Sequence, residues 1–391
     1  MPAMKRKLKI LHIINGLDPG GAENMLADIL AHSDNDQFAA EIISLKDKGS
    51  VAARIEGLGV PVRAVHMNYL TAPIALVVLG LLIFKSKPDV IQTWMYHSNL
   101  LGGVVARLTN RAPVVWGIHA TQLDPSTLKF GTYLAIWGGR IVSRWVPARI
   151  ICCSEAAREF HEFLGYTKSA MRFIPNGFDL SRFRPDAEAY QSVRAELGLR
   201  EDANIVGLIT RYHPNKDHAN FLHAAAILRR HMPDVHFICC GRNVTMQNQV
   251  LAEKVREHHL DRHVTLLGER HDIPRLTAAL NLAVSSSHIG EAFPLSLGEA
   301  MACGVPCVTT NVGDSASLVG ATGRIVPTRD PEALAKAWQE ILLFHPEQRR
   351  ELGNKARGRV MELFSIQEIT KQYEYVYKEI SDFPHKDHVH K

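Results

Sequence analysis

Short apolar runs alternate with helical stretches along almost the whole chain, which has 391 residues. This alternation is typical of parallel β-sheets with helices on both faces, because consecutive parallel strands need a crossover between them. The sequence therefore predicts an α/β protein. The predicted strands of the first half are 8–14, 40–45, 62–66, 90–94, 114–119, 150–153 and 172–174, and those of the second half are 205–210, 236–240, 264–267, 282–285 and 305–309.

The interruption between the two sets of strands predicts a division into two domains. A turn cluster at 175–179 closes the first set, and the polar stretch 182–202 precedes the second. The chain is long enough for two domains that each have their own core. We predict a Rossmann-like N-terminal domain over 1–178, a second one over 179–363, and a C-terminal helix with a tail over 364–391.

The six cysteines are predicted to be buried, reduced thiols. Four of them form adjacent pairs at the ends of predicted strands, where neighbouring side chains point to opposite faces of the sheet. Reduced thiols fit a cytoplasmic protein, and the apolar run 8–15 near the start is too short for a secretory signal. We therefore expect a cytoplasmic location.

Basic residues are unevenly distributed along the chain. The net charge is +5, yet residues 1–175 hold 19 Lys and Arg against 13 Asp and Glu, whereas residues 176–391 hold 26 against 27. The excess in the first half favours an anionic surface or substrate there, although a modest excess also serves solubility. The sequence has no nucleic-acid-binding motif, so nucleic acid is not expected as a partner.

Two glutamates, Glu291 and Glu299, flank the start of a predicted helix at 294–302, which follows the predicted strand 282–285. In open parallel sheets, ligands bind at the carboxyl ends of the strands. The bare N–H groups and positive dipole end of such a helix suit a phosphate, and carboxylates accept hydrogen bonds from sugar hydroxyls. The pattern indicates a nucleotide-sugar site. The alternative is two surface glutamates beside an ordinary loop.

Arg211 and Lys216 follow the predicted strand 205–210, close to the start of the next helix. Arginine offers a two-pronged donor and lysine a compact charge, so the pair suits a diphosphate. Two solvated surface cations are the alternative.

Gly20 and Gly21 follow the first predicted strand and precede a helix with apolar periodicity. Glycine permits close approach of the backbone to a ligand, and a helix start attracts anions. A simple tight turn is the alternative. The spacing differs from the Gly-x-Gly-x-x-Gly dinucleotide fingerprint, which argues against an NAD-dependent dehydrogenase.

The pattern Glu-x7-Glu followed by Ala-Met-Ala-Cys-Gly-Val-Pro-Cys-Val closely resembles the donor-site segment of retaining GT-B glycosyltransferases of the large family 4. The resemblance extends over nearly all of the chain in the same order. It implies a GT-B fold with two facing Rossmann-like domains and a cleft between them. The first domain would bind the acceptor and the second a nucleoside-diphosphate sugar, and the last helix would cross back onto the first domain.

The resemblance also implies roles for residues of the second domain. Arg211 and Lys216 match the family's Arg-x4-Lys element, which binds the donor diphosphate and stabilises it as it leaves. Glu291 would hold hydroxyls of the donor sugar, and Glu299 would hold the donor ribose.

The donor-site loop departs from the family pattern at two positions. Ala292 stands where the family usually has glycine, and Pro294 removes one backbone donor. Contacts with phosphate or sugar in this loop are therefore expected from Phe293, Leu295 or their neighbours.

In the first domain, the resemblance places the Gly20–Gly21 loop toward the donor phosphates and the acceptor. It places His119, at the end of the predicted strand 114–119, near the reacting sugar. A lone histidine at a strand end is otherwise as often structural as catalytic. His97 is a second candidate on the acceptor side.

Neither a metal ion nor a cofactor is expected in the reaction. The sequence has no Asp-x-Asp motif and no His, Asp and Glu cluster with metal-ligand spacing. The diphosphate would instead be neutralised by Arg211, Lys216 and the dipole of a helix.

These observations predict transfer of a hexosyl group from a nucleoside-diphosphate sugar, such as a UDP-sugar, to an acceptor hydroxyl, with retention of the anomeric configuration. Retention comes from the resemblance alone. The expected context is assembly of cell-surface polysaccharide, lipopolysaccharide or glycolipid, with a glycan or lipid-linked acceptor. The alternatives are a nucleotide-sugar epimerase and a non-catalytic sugar-nucleotide-binding protein.

Two stretches of the first half indicate contact with an anionic membrane surface. Residues 73–84 are twelve unbroken apolar residues, too few to span a bilayer, and predict either a buried crossover helix or a partly inserted interfacial one. Residues 125–154 contain four basic residues and no acidic one, and Trp137, Ile141 and Trp145 share a helical stripe. We therefore expect peripheral association with the inner face of the cytoplasmic membrane.

Overall fold

The computed structural model describes residues 6–110, 112–121 and 128–382, and the chain divides into two compact units. The first unit contains the described residues up to Gly177 together with those from Ile366 onward. The second unit is Phe178–Ser365. The basic start at 1–5, the tail predicted at 385–391 and residues 125–127 of the basic stretch lie outside the described residues.

Strands and helices alternate in both units. The strands are β1 Leu8–Ile14, β2 Phe38–Ser44, β3 Val62–Ala64, β4 Val90–Trp94, β5 Val114–Ile118, β6 Pro147–Cys152, β7 Met171–Phe173, β8 Ile205–Ile209, β9 His236–Cys240, β10 Val264–Leu266, β11 Leu282–Ser285, β12 Cys307–Thr310 and β13 Gly323–Val326. The helices are α1 Gly21–His32, α2 Val51–Glu56, α3 Ala72–Ser86, α4 Met95–His97, α5 Gly103–Thr109, α6 Phe130–Val142, α7 Glu155–Phe163, α8 Ala187–Glu196, α9 His218–Arg229, α10 Gln249–Glu257, α11 Ile273–Ala278, α12 Leu295–Ala302, α13 Ser315–Val319, α14 Pro331–Leu342, α15 Pro346–Leu363 and α16 Ile366–Asp382.

The first unit is built on a seven-stranded parallel sheet with the order β3-β2-β1-β4-β5-β6-β7. Alternate residues of each strand face opposite sides, so Ile10 and Ile14 pack against α1 and α16, whereas Leu11 and Ile13 pack against α3, α5 and α6. The strand order reverses between β1 and β4, which are paired from Ile10↔Val90 to Ile14↔Trp94.

Helix α16 belongs to the first unit, although it comes last in the chain. Its apolar face packs against α1 and the sheet, as expected from the helical spacing of its buried residues Ile366, Ile369, Tyr373, Val376, Tyr377 and Ile380.

The second unit is built on a six-stranded parallel sheet with the order β10-β9-β8-β11-β12-β13. Its strand order reverses between β8 and β11, where Leu282 is paired with Val206. Helices α9 and α14 close one face of the sheet around the buried Trp338 and Phe221.

Two features of the structure go beyond the predictions from the sequence. Strand β13 was not predicted, because it has only four residues, begins with glycine and carries Arg324 in its centre at the edge of the sheet. Helix α3 is neither wholly buried nor wholly exposed: Leu79 and Ile83 are in the core, but Ile74 and Phe84 are exposed.

All six cysteines are buried and free of disulfides, as predicted. Burial raises the thiol pKa to about 12 for Cys152 and Cys303 and to about 11 for Cys240, and it also raises the pKa of Cys239 and Cys307. They are therefore protonated, inert core residues.

Candidate active site

Several of the candidate residues follow the strands that flank the reversal of strand order in each sheet. At such a point the two adjacent loops run in opposite directions and leave a crevice at the carboxyl edge. In the second unit, Arg211 and Lys216 follow β8, and Glu291 follows β11. In the first unit, Gly20 and Gly21 follow β1.

An ion pair joins the two loops of the second unit. The ammonium of Lys216 contacts the Oε2 atom of Glu291, and the Ser287 hydroxyl donates to the same oxygen at 3.0 Å. The side chains of Lys216 and Glu291 are only 24% and 11% exposed. Partial burial limits screening by water, so the positive charge of Lys216 and the negative charge of Glu291 attract each other more strongly than an exposed pair would.

The backbone around Lys216 is fixed by the loop that carries Glu291. The Ser286 hydroxyl donates to the Lys216 carbonyl at 2.8 Å, and the His288 N–H donates to the Asn215 carbonyl at 2.9 Å. Asp217 adopts a left-handed conformation with φ 50° and caps α9. A non-glycine residue in this conformation indicates local strain that the surrounding contacts hold in place.

Gly313 supports the other side of the Glu291 loop. Its φ is 55°, and a Cβ atom at this position would lie 1.7 Å from the Glu291 carbonyl oxygen. The next residue, Asp314, donates its N–H to the Ala292 carbonyl at 3.1 Å. Apart from a glycine in the loop after β12, the sequence contains no signal for this contact.

The start of α12 presents backbone donors beside this loop. Pro294 occupies the N-cap position and offers no side-chain cap, and the first turn contains no acidic residue. The N–H groups of the first turn, starting with that of Leu295, thus keep the positive end of the dipole uncompensated. Glu299 lies in the second turn and is half-buried.

The side chain of Phe293 points into the core of the second unit. Its ring stacks on Phe178 at 6.2 Å between centroids and meets Phe364 edge-on at 5.5 Å. The Phe293 side chain is therefore not available to a ligand, and any contact with this residue would involve its backbone.

Arg211 is exposed immediately after β8. Within the part of the chain that the structure describes, its guanidinium has no hydrogen bond and no ion pair. The structure thus joins Lys216 to Glu291 but leaves Arg211 open to solvent.

Three further polar residues lie near Lys216 and were not predicted from the sequence as site residues. His218 is buried at the start of α9, with no hydrogen-bond partner for either ring nitrogen among the described residues, and the same holds for Asn215 Oδ1. Burial, followed by the charge of Lys216, lowers the pKa of His218 to about 4. His288 Nδ1 lies 3.8 Å from Asp217 Oδ2. The only sequence signal was the richness in histidine of this segment.

In the first unit, Gly20 is the N-cap of α1 and Gly21 is its first residue. A Cβ atom at position 20 would lie 2.3 Å from the Glu23 carboxylate, which is the flexible end of a side chain and could move away, and the φ of −162° suits any residue. Gly21 is exposed, and its backbone is accessible from solvent.

His119 lies directly after β5 in a stack of aromatic rings. Its imidazole stacks on Trp94 with 5.1 Å between the ring centroids, and Trp94 also stacks with Tyr373 of α16 at 6.0 Å. The indole N–H of Trp94 donates to His12 Nδ1 at 3.2 Å. The sequence predicted Trp94 only as the last residue of a strand. In the structure its ring packs against the imidazole of His119 and so positions it.

Burial lowers the pKa of His119 to about 4, and the nearby Asn176 amide offsets this shift only in part, without reaching hydrogen-bond geometry. Neither ring nitrogen has a partner among the described residues. The imidazole is therefore neutral at pH 7, with one donor and one acceptor nitrogen that are both buried and have no partner among the described residues.

No group of three or more His, Cys, Asp or Glu side chains within residues 6–110, 112–121 and 128–382 is arranged to hold a metal ion. In the same ranges, no helix is both long and apolar enough to cross a membrane.

Two doubly wound parallel sheets, each with candidate binding groups at its reversal of strand order, define the GT-B class of fold. The family model of group 1 glycosyl transferases matches residues 203–343, and that of glycosyltransferase family 4 matches residues 19–182. The chain belongs to this family and is a glycosyltransferase, which confirms the predicted fold class and the predicted family.

Individual proteins extend this similarity over most of the chain. UDP-Gal:alpha-D-GlcNAc-diphosphoundecaprenol alpha-1,3-galactosyltransferase of Escherichia coli is 25% identical over 82% of this chain and 83% of its own length. The lipopolysaccharide core biosynthesis mannosyltransferase LpsB of Rhizobium meliloti is 30% identical over 53% of this chain and 60% of its own length. The solved structure of Anabaena Alr3699/HepE in complex with UDP-glucose superposes with a TM-score of 0.84, at 22% identity, over 95% of this chain and 100% of the other.

Proposed function

We propose that this protein transfers a sugar from a UDP-sugar to a hydroxyl of a lipid-diphosphate-linked glycan, with retention of the anomeric configuration. The observation that carries the proposal is the partly buried Lys216–Glu291 pair at the reversal of strand order in the second unit. The substrate class rests on the names of the galactosyltransferase and of the UDP-glucose complex. The product would enter the assembly of a cell-surface polysaccharide or lipopolysaccharide.

The positive groups of the second unit serve the leaving diphosphate. Lys216 supplies an ammonium charge that the loops hold in place. Arg211 supplies a solvent-accessible guanidinium with several N–H donors, and the N–H groups at the start of α12 supply the positive end of a helix dipole. These groups act most strongly as charge develops on the departing oxygen, which is the requirement for accelerating transfer. We propose that they replace a divalent ion, so that the reaction is independent of metal.

The carboxylates serve recognition of the sugar and ribose. Glu291 keeps lone pairs for hydroxyl donors even while it accepts from Lys216 and Ser287. Glu299 would accept from the ribose. A carboxylate already bound to an ammonium and a hydroxyl is a weak nucleophile, so Glu291 would orient the sugar and form no covalent intermediate.

The first unit would contribute the neutral imidazole of His119 and the Gly20–Gly21 backbone. A neutral imidazole can donate to one hydroxyl and accept from another without placing a positive charge beside the reacting carbon. The exposed start of α1 can approach a phosphate or an acceptor closely because Gly21 has no side chain.

The test is product analysis with UDP-glucose, UDP-galactose and their N-acetyl derivatives in the presence of EDTA, with and without an undecaprenyl-diphosphate-linked monosaccharide. We expect one donor to give an α-linked glycolipid, with the configuration read from the anomeric proton coupling by NMR. An altered nucleotide sugar formed without acceptor would instead establish an epimerase. A β-linked product would contradict retention, and binding of UDP without any product would establish a non-catalytic protein.

A further inference from the structure

Helix α3 is apolar on two opposite faces. One face, with Leu79 and Ile83, packs into the core of the first unit. The other is exposed to solvent and carries Ile74, Val77, Leu81 and Phe84, preceded by Leu70, which is 92% exposed. A helix on the surface of a soluble domain normally has a polar outer face, so this outer face is unpartnered.

Helix α6 has the same construction. Ala135 and Ile136 pack into the core of the first unit, while the outer face is a row of large apolar side chains. This row consists of Phe130, Tyr133, Leu134, Trp137, Ile141 and, just after the helix, Trp145.

The two outer faces belong to one layer of the molecule. Both helices cover the side of the sheet formed by Leu11 and Ile13, and they flank the helical segment that runs from Met95 to Thr109. Close packing holds them there: a Cβ atom on Gly80 of α3 would lie 3.0 Å from Thr109, and one on Gly138 of α6 would lie 2.9 Å from Leu100. We name this surface, composed of the outer faces of α3 and α6, the α3–α6 face.

Positive charge is concentrated on the same part of the chain. Residues 57–154 contain nine Lys and Arg against two Asp and Glu, a net charge of +7 when the whole chain has +5. Exposed cations lie at the ends of the apolar rows: Lys85 and Lys87 at the end of α3, Lys129 at the start of α6, and Arg140 and Arg144 near its end. The Arg140 guanidinium lies 4.9 Å above the ring of Trp137.

We propose that the α3–α6 face docks on an anionic phospholipid bilayer, with its apolar rows in the boundary between headgroups and acyl chains. Exposed cations around exposed aromatic and aliphatic side chains match the chemistry of this boundary, because the cations meet lipid phosphates while the apolar groups leave water. At about 1.5 Å per residue, helices of 15 and 13 residues are roughly 22 and 20 Å long, so they lie in the surface and do not span it.

Docking deepens the proposed function and rests on it, because a lipid-linked acceptor is presented at such a surface. Its consequence is that the membrane both holds the enzyme and supplies its acceptor, so that transfer to a lipid acceptor depends on the α3–α6 face and transfer to a water-soluble acceptor does not.

The experiment is co-sedimentation of the full chain with sucrose-loaded vesicles of phosphatidylcholine, either pure or mixed with phosphatidylglycerol. The test variant is Leu134→Glu/Ile141→Glu, at exposed positions of α6. The matched control, Val250→Glu/Met361→Glu, adds the same charge at exposed apolar positions of the second unit. Urea midpoints establish that both variants fold.

We expect binding to mixed vesicles, at least about tenfold weaker binding to pure phosphatidylcholine, and at least about tenfold weaker binding of the test variant than of the control. Equal binding of the two variants, or no preference for phosphatidylglycerol, would overturn the proposal. A dimer in light scattering without lipid that only the test variant abolishes would assign the face to a second copy of the chain, and would also overturn it.

Failure of the docking proposal can be distinguished from failure of the proposed function. Vesicle binding by a protein that transfers no sugar would contradict the proposed function but support the docking proposal. Sugar transfer to a soluble acceptor by a protein that does not bind anionic vesicles would contradict the docking proposal but support the proposed function.

Discussion

Lys216 and Glu291 are separated by 75 residues in sequence, yet their side chains form an ion pair where the loops after β8 and β11 meet. The pair presents a cation suited to phosphate and a carboxylate suited to hydroxyls at one place. In a nucleoside-diphosphate sugar, these two kinds of group are also adjacent. The pair therefore matches the junction between the diphosphate and the sugar.

Replacing Lys216 by methionine should lower kcat by about 100-fold or more, since one donor to a developing negative charge typically contributes 10²–10³ in rate. The measurement is steady-state transfer with the donor identified by product analysis. Lys254→Met is the matched control, because Lys254 is a surface lysine of the same unit that pairs with Glu257 on α10. A Lys216→Met enzyme as active as Lys254→Met would contradict the role of Lys216.

Gly313→Ala should impair the enzyme without removing any functional group. The new methyl group would collide with the Glu291 carbonyl oxygen, and alanine disfavours the φ of 55°. We expect kcat to fall at least about tenfold and the protein to be destabilised by more than 1 kcal/mol. The control is Gly358→Ala in α15, where a Cβ atom meets nothing within 4 Å. It should stabilise the protein by about 1 kcal/mol and leave kcat unchanged, and equal activity of the two variants would contradict the prediction.

Stability should fall as the pH is lowered from 6.5 toward 4. Burial lowers the pKa of His12 to about 3 and those of His119, His161, His218 and His236 to about 4. Well above pH 6.5 these side chains are neutral in both the folded and the unfolded chain. Below it the unfolded chain takes up protons that the folded chain resists, so each histidine contributes a loss of up to about 1.4 kcal/mol per pH unit.

Urea unfolding at pH 7.5, 6.5 and 5.5 measures this dependence. The free energy of unfolding should fall modestly between pH 7.5 and 6.5, where the histidines of the unfolded chain begin to take up protons, and more steeply between pH 6.5 and 5.5. In His161→Gln the loss between pH 6.5 and 5.5 should be smaller by about 1 kcal/mol, since one shifted group is removed. A wild-type stability that is constant over the whole range would show that these histidines titrate normally.

The ring of Trp94 should matter for turnover through its support of His119. Trp94→Phe keeps a flat ring in the stack, whereas Trp94→Leu does not, and both lose the hydrogen bond to His12. We expect kcat of the leucine variant to be about 10- to 100-fold below that of the phenylalanine variant, because small misplacements of a reacting group have effects of this size. KM for the donor should change little. Equal kcat values for the two folded variants would assign Trp94 a purely structural part.

The arrangement of the candidate residues at one edge of the sheet could be predicted from the sequence because of a general property of parallel sheets. Arg211, Lys216 and Glu291 all follow strands whose hydrophobic pattern is clear, and the carboxyl ends of these strands share one edge of the sheet. Twelve of the thirteen strands were predicted at nearly the observed places. The missing one, β13, is a short edge strand in which Arg324 interrupts the apolar pattern.

The contacts within the site could not be predicted from the sequence, because they depend on how particular loops fold. Pairing of Lys216 with Glu291 and the approach of Gly313 to the Glu291 backbone both join distant segments. Burial of the Phe293 ring depends on two partners, Phe178 and Phe364, that lie at opposite ends of the second unit in sequence. Hydrophobic periodicity contains no information on such pairings.

The most direct test of the account is calorimetric titration of UDP and of the UDP-sugar that the enzyme uses, in EDTA, into the wild-type protein, Lys216→Met and Glu291→Gln. UDP should bind the wild type and Glu291→Gln with similar Kd, and Lys216→Met at least about tenfold more weakly, since a hydrogen bond to a charged group contributes about 1.5–3 kcal/mol. The UDP-sugar should bind both variants more weakly than the wild type. Undiminished binding of UDP to Lys216→Met would contradict the assignment of the donor diphosphate to this site.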